Sequence, residues 1–345
     1  MLKLKNGTVF LSVLSIIIFS QSCTDSANKR YISDTDTTYS PDIRSVSKKI
    51  NASPDNAELY YNRANAFYFE NNFKQALGDI DYAIELDSSN ALYEYFRAKT
   101  LISGDTANSK EAIKSFQKSI RIKPNYVESM LDYGKLLIAR QSYEEAEKIY
   151  FEANQADPSN PVPYFYLGIM AKEMKDTQKA MALFEKTLVY DGNYYDAIMQ
   201  LANFYAESMN DKALPLFDRA TKINPYFDEP IYAKALFLQK KNLYKDAAAL
   251  YEQVAKMNPG HILCRYNLAY INVFFENYDI AKNLLTEVIT MAPENADAYA
   301  LRGLVYEKQK NNSSAMIDYQ QALQYDKDQK SAREGLKRIK ISISF

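Results

Sequence analysis

The chain repeats itself at a nearly fixed interval. Counted from the stretch Ala57-Glu58-Leu59-Tyr60, similar segments begin at Ala57, Ala91, Val127, Pro161, Tyr195, Asp228, Ile262 and Ala296, in steps of 34, 36, 34, 34, 33, 34 and 34 residues. A period of this length describes one stack of supersecondary units, none of which can bury its apolar face without a neighbour. Three columns define the unit. The eighth position is small throughout: Ala64, Ala98, Gly134, Gly168, Ala202, Ala235, Ala269 and Gly303. A second small column runs Ala76, Ala112, Ala146, Ala180, Ala213, Ala247, Ala281 and Ala315. Four residues beyond each of these alanines, one helical turn along the same face, stands a large apolar group: Ile80, Phe116, Tyr150, Phe184, Phe217, Tyr251, Leu285 and Tyr319. Small residues on two helices let their axes approach, and the large group fills the space between pairs. Pro124, Pro158, Pro225, Pro259 and Pro293 close five units, since proline stops one helix and can open the next.

Composition agrees with helices. Hydrophobic residues make up 47% and charged residues 25%, enough to fold, while 11 prolines and 9 glycines are too few for a chain of many tight β-turns. The net charge of -1 gives no electrostatic reason to bind nucleic acid. Tyrosine is abundant, with 29 residues, and suits helical surfaces that meet other proteins.

In period and columns the chain resembles the tetratricopeptide repeat (TPR) family. Residues 57–87 (AELYYNRANAFYFENNFKQALGDIDYAIELD) read almost as the family pattern. The resemblance covers 57–329 in eight units: 57–90, 91–126, 127–160, 161–194, 195–227, 228–261, 262–295 and 296–329. It implies an all-α, right-handed α-solenoid of about eight TPR helix pairs with flanking capping helices. Residues 41–56 read as a lone half-repeat helix ended by Pro54. Residues 330–345, with the amphipathic run Lys330 to Lys340, read as a C-terminal cap and tail that cover the exposed face of the stack. In the family, ligands lie on a concave wall lined by positions two, five, six, nine and twelve. Here those positions include Tyr61, Asn62, Asn65, Tyr95, Lys99, Phe165, Asn203, Tyr232, Tyr266 and Tyr270. A subtype that grips a terminal carboxylate carries Lys at five and Asn at nine. Unit one has Asn65 at nine but Tyr61 at five, so that clamp lacks its cation.

Three irregularities stand out. Asn272 replaces a large residue at the eleventh position of unit seven. Unit two carries an insertion, Gly104 to Ser109, at the turn between its helices. Unit five is one residue short, and Pro215 follows Ala213 by two positions. Proline is tolerated only in the first turn of a helix, so the second helix of unit five is expected to start late, near Lys212 or Ala213.

The N-terminus reads as an address. Lys3 and Lys5 precede an apolar run from Val9 to Phe19, the length of a signal-peptide core and too short to span a bilayer comfortably. Ser20-Gln21-Ser22-Cys23 resembles a bacterial lipobox, although Ser20 stands where Leu is usual. The resemblance implies removal of residues 1–22 and acylation of Cys23, whose acyl chains anchor the protein to a membrane. A simple secretory signal and an uncleaved anchor are the alternatives. Residues 23–40 are polar and aperiodic, a tether between lipid and fold.

Chemistry finds little purchase. One histidine, His261, in the turn after Pro259-Gly260, gives no basis for a triad or a histidine metal site. Cys264 reads as a small, partly buried group on a first turn. The carboxylates Asp79, Asp81, Glu144 and Glu145 read as a solvated face. No phosphate-binding glycine loop occurs. The expectation is a non-catalytic chain with no cofactor, metal, nucleic acid or small-molecule substrate. It would be lipid-anchored in the cell envelope, on the outer membrane facing the periplasm, as a scaffold or adaptor holding a peptide or protein partner in its groove. The alternative is a docking regulator of an envelope enzyme or secretion machine.

Overall fold

The computed structural model describes residues 32–33, 36–104 and 108–343. The expected signal peptide (1–22), Cys23 and most of the expected tether (23–40) lie outside the described residues. Every element among the described residues is a helix. A lone α1 (Pro41–Ala52) precedes eight hairpins: α2 (Ala57–Phe69) with α3 (Phe73–Leu86), α4 (Ala91–Gly104) with α5 (Ser109–Ile122), α6 (Val127–Ala139) with α7 (Tyr143–Ala156), α8 (Pro161–Glu173) with α9 (Thr177–Tyr190), α10 (Tyr195–Glu207) with α11 (Ala213–Ile223), α12 (Glu229–Lys240) with α13 (Tyr244–Met257), α14 (Ile262–Phe274) with α15 (Tyr278–Met291), and α16 (Ala296–Lys308) with α17 (Asn312–Tyr325). The last helix is α18 (Lys330–Ile343). The residues form two compact units that divide between Tyr166 and Leu167.

All sixteen residues of the second small column and the large column four residues on are fully buried. The pairing differs in one respect from two small residues meeting each other. The small eighth position faces the large group of its own hairpin. A Cβ added at Gly168 would stand 2.7 Å from Phe184 Cε1, and one added at Gly303 2.8 Å from Tyr319 Cδ1. Gly134 faces the Tyr150 ring in the same way. Glycine at these positions makes room for a ring that packs flat against the first helix.

Seven of the hairpin corners share one backbone device. Asn71, Gln141, Lys175, Met209, Asn242, Glu276 and Lys310 all have positive φ, from 56 to 63°. Each follows a first helix. The next residue's N–H bonds to the carbonyl five residues back, as in Asn72 to Phe67 (2.8 Å), Ser142 to Leu137 (2.9 Å) and Asn311 to Tyr306 (2.9 Å). This is a Schellman turn, which satisfies the orphan carbonyls at the helix end and reverses the chain. None of the seven is glycine, so packing holds each in the left-handed region against a cost of about 1–2 kcal/mol. Between hairpins, aspartate or asparagine makes a short turn: Asp87 Oδ1 accepts from Ser89 N, Asp191 Oδ1 from Asn193 N and Asn258 Oδ1 from Gly260 N.

The second helix of hairpin five begins at Ala213, so Pro215 falls in its first turn, where its missing N–H has no intrahelical partner to lose. Asn272 is held by two bonds, Nδ2 donating to Leu268 O at 2.8 Å and Oδ1 accepting from Asn277 Nδ2 at 3.2 Å, and so helps tie the corner that follows.

Two readings are corrected. Asp79 is not solvated. Its carboxylate is buried and takes two bonds from Arg63, whose own guanidinium is 2% exposed. The pattern recurs at the other end of the repeats, where Arg302 grips Asp318. Cys264 is wholly rather than partly buried, and its Sγ donates to Tyr251 O at 2.9 Å.

Candidate partner-binding wall

The first helices of successive hairpins carry the ten groove residues. In the unit ending at Tyr166, α4 and α6 place their polar groups in a chain. Tyr95 Oη donates to Asp132 Oδ2 at 2.7 Å, and Asp132 Oδ1 accepts from Lys135 Nζ at 2.9 Å. Lys135 Nζ in turn lies 5.5 Å from the Tyr166 ring. Lys99 Nζ stands over two rings, 5.4 Å from that of Tyr95 and 6.0 Å from that of Tyr68. Burial pushes the Tyr95 hydroxyl above its ordinary value, and its bond to Asp132 adds to the shift. Burial is the largest influence on the Lys135 ammonium and works against it, but the bond to Asp132 and that residue's charge together outweigh it and raise the pKa. Between these helices lies a cavity of about 300 Å³ lined by Tyr68, Lys99, Ile102, Ser103, Phe116, Asp132, Lys135, Leu136 and Ala139. On α2, Tyr61 is half-buried, stacked 5.5 Å from Tyr93 and edge-on to Phe96; Asn62 is exposed and Asn65 half-buried.

In the unit that begins at Leu167, Tyr266 and Tyr270 line a cavity of about 630 Å³ with Asp297, Leu301, Leu304, Glu307 and Lys308, and Glu334 and Arg338 of α18 form another side. Tyr270 is exposed. Burial pushes the Tyr266 hydroxyl up to about 12, with Asp297 adding to the effect. Glu307 accepts from Arg338 Nε at 2.8 Å and Nη2 at 2.9 Å, and from Tyr319 Oη at 2.6 Å. These bonds, the Arg338 guanidinium first, hold its carboxyl below the usual range. Tyr232 lies against His261, ring centroids 4.5 Å apart, and its hydroxyl accepts from Asn267 Nδ2 at 3.2 Å. His261 caps α14, its Nδ1 accepting from Cys264 N at 3.1 Å. Asn203 is half-buried on α10.

The structure thus brings Tyr95 and Lys99 into one cluster and Tyr266 and Tyr270 into another. Phe165 is only 7% exposed, with its ring edge-on to Tyr166, so it serves packing and presents little to a partner. Sequence reasoning passed over Tyr68, Asp132 and Lys135, although they occupy positions twelve, six and nine of their units. The register pointed to them, but only side-chain geometry shows that they share a cavity. Among the described residues, no group of three or more His, Cys, Asp or Glu could hold a metal, and no helix is long and apolar enough to cross a membrane.

Two family profiles described as tetratricopeptide repeat match this chain, over residues 108–165 and 266–332. Human protein O-mannosyl-transferase TMTC3 is 25% identical over 280 residues, 78% of this chain and 30% of that protein. Human mitochondrial import receptor subunit TOM70 is 23% identical over 179 residues, 49% of this chain and 29% of that protein. The chain therefore spans less than a third of the length of either relative. The crystal structure of the C-terminal part of a TPR repeat-containing protein from Cytophaga hutchinsonii superposes with a TM-score of 0.59 at 17% identity, covering 72% of this chain and 99% of that one. The chain thus carries tetratricopeptide repeats in the two matched stretches, and its fold is all-α, of the solenoid type.

Proposed function

We propose, starting from a chain of tetratricopeptide repeats, that this protein is a non-catalytic adaptor holding a peptide or protein partner on the wall made by its first helices. The observation that carries this reading is the cluster on α4 and α6, where Lys99, Asp132 and Lys135 line an open, largely apolar cavity and Tyr95 bonds to Asp132 beside it. Aromatic faces beside a charged rim suit an extended or helical segment, gripped by ring packing and polar contacts at the rim. TOM70, named as an import receptor subunit, points the same way. The transferase named in TMTC3 does not carry over, because the match takes in 30% of that protein. On this reading Asn62, Tyr95 and Lys99 are the contacts offered by the unit ending at Tyr166, beside Tyr61 and Asn65, and Tyr266 and Tyr270 those offered by the other unit, which also holds Asn203 and Tyr232.

The lipobox resemblance adds an anchor. Cys23 acylated after removal of residues 1–22 would tether the repeats through residues 23–40 to the outer membrane, facing the periplasm. Membrane attachment would keep the wall close to envelope partners without further sequence in the fold.

Photo-crosslinking tests the adaptor reading. A benzophenone amino acid placed at exposed Tyr270 or Asn62 should give discrete adducts in envelope extracts, and one placed at exposed Glu252 on α13 should not. Equal adducts from Glu252, or none from the wall, would overturn it.

A further inference from the structure

We infer that the cavity beside Lys99 recognises an internal segment of a partner protein in which a carboxylate side chain stands next to an apolar one; this rests on the adaptor reading and names the chemistry of its partner. Three cations packed nearby already have carboxylates: Arg97 with Asp81 at 2.6 Å, Lys118 with Glu94 at 2.6 Å and Lys135 with Asp132 at 2.9 Å. Lys99 has none. Its ammonium faces the rings of Tyr68 and Tyr95 and makes no ion pair among the described residues. A cation held over two aromatic faces is positioned but not neutralised, because ring quadrupoles leave its hydrogen-bond donors free for an anion. An incoming carboxylate gains charge-assisted bonds there.

The second half of the recognition is apolar. Ile102, Phe116, Leu136 and Ala139 give the cavity a greasy floor of about 300 Å³, enough for one or two side chains of a ligand. Tyr68 and Ser103 hydroxyls lie 2.8 Å apart and share one hydrogen bond, and the Asp132 carboxylate in the same lining is already taken by Tyr95 and Lys135, so little polar demand competes with an apolar side chain. The local charge alone sets the preference, since the whole chain carries a net charge of only -1. A basic segment would leave Lys99 facing a like charge, and an acidic segment without an apolar neighbour would leave the floor to water.

Selection from a phage-displayed library of random dodecapeptides, with the full chain as bait, tests this. The expected result is enrichment of Asp or Glu adjacent to, or one helical turn from, Leu, Ile or Phe. Synthetic versions of the enriched peptides, with blocked ends, should bind at least tenfold more weakly to Lys99→Met and within about threefold of wild type to Lys99→Arg, a gap expected for one charge-assisted bond. A circular dichroism melt that matches wild type shows that the variant is folded, and Leu136→Asp, which fills the floor with charge, provides a second loss. Peptides that bind Lys99→Met as well as wild type overturn the inference and leave the adaptor reading standing. So does enrichment of basic or neutral peptides, or a chain that occupies the cavity with a second copy of itself, seen as Lys99-dependent dimers in sedimentation. An empty selection overturns both readings.

Discussion

The guanidinium of Arg63 meets the carboxylate of Asp79 through two bonds, Nε to Oδ2 at 2.6 Å and Nη2 to Oδ1 at 2.7 Å, and its Nη1 donates to Ser47 Oγ at 3.2 Å. One side chain thereby ties α1, α2 and α3 together. Removing one partner of a buried pair strands the other charge, at a cost of about 3–5 kcal/mol. Arg63→Met should therefore destabilise the N-terminal hairpin by that order, while Arg63→Met with Asp79→Leu should recover most of the loss. Urea titrations of both variants read this directly. A single variant as stable as wild type would remove the pair from any structural role.

Gly168 lies against the Phe184 ring. Gly168→Ala adds helix propensity worth about 1 kcal/mol but places a Cβ where ring atoms already stand. Overpacking of about 1–3 kcal/mol outweighs the gain, so the variant should be less stable than wild type. Shrinking the ring with Phe184→Leu in the same chain should restore part of the loss, and a thermal melt of the double variant no better than that of the single would show that the ring is not the obstacle.

Cys264 is buried among Tyr251, Val254 and Leu268, and burial pushes its thiol up to about 11. The reactive thiolate is scarce and shielded. In a Cys23→Ser chain, where it is the sole thiol, Cys264 should resist alkylation by iodoacetamide at pH 8 and react fully in urea. Stoichiometric labelling of the native chain within minutes would contradict its placement.

The cap α18 depends on an acid-sensitive contact. Arg338 and Tyr319 lower the Glu307 pKa in the folded state from the ordinary 4.5. A depressed carboxyl binds fewer protons when folded than unfolded, so its stabilisation is complete above pH 4.5 and fades as pH falls through the lowered value. Because Arg338 is half exposed, water screens the pair and limits the effect to about 1 kcal/mol or less. Hydrogen exchange should show α18 losing protection below pH 4.5 before α16 does. Glu307→Gln should lower protection at neutral pH and flatten that acid dependence. An acid response unchanged by Glu307→Gln would assign it to other carboxylates.

Acylation of Cys23 predicts that a clickable fatty acid labels the wild-type chain in bacterial cells and that Cys23→Ser abolishes the label. The variant should then appear in the soluble periplasmic fraction or as an uncleaved precursor. Equal labelling of both chains would exclude the lipid anchor.

The repeat columns were legible because they depend on spacing alone. Ala146 and Tyr150 lie one helical turn apart, so both must face the same neighbour, and no tertiary detail is needed to place them in the core. The start of α11 was legible for the same kind of reason, since Pro215 permits only a first-turn position. Other features were decided by packing. Met209, Glu276 and Lys310 carry no preference for positive φ, yet they adopt it, because the helices on either side fix where the chain must reverse. Asp79 reads as an ordinary surface acid in its helix, and only the arrival of Arg63 from sixteen residues away makes it an interior group. The wall divides in the same manner. Period and register marked Tyr95 and Lys99 as residues of the first helices. Lys135 meets Asp132 through their i,i+3 spacing on one helix; that Asp132 also takes the Tyr95 hydroxyl, and that Lys99 turns to the Tyr68 ring of the preceding hairpin, depends on contacts between hairpins and is written in none of them alone.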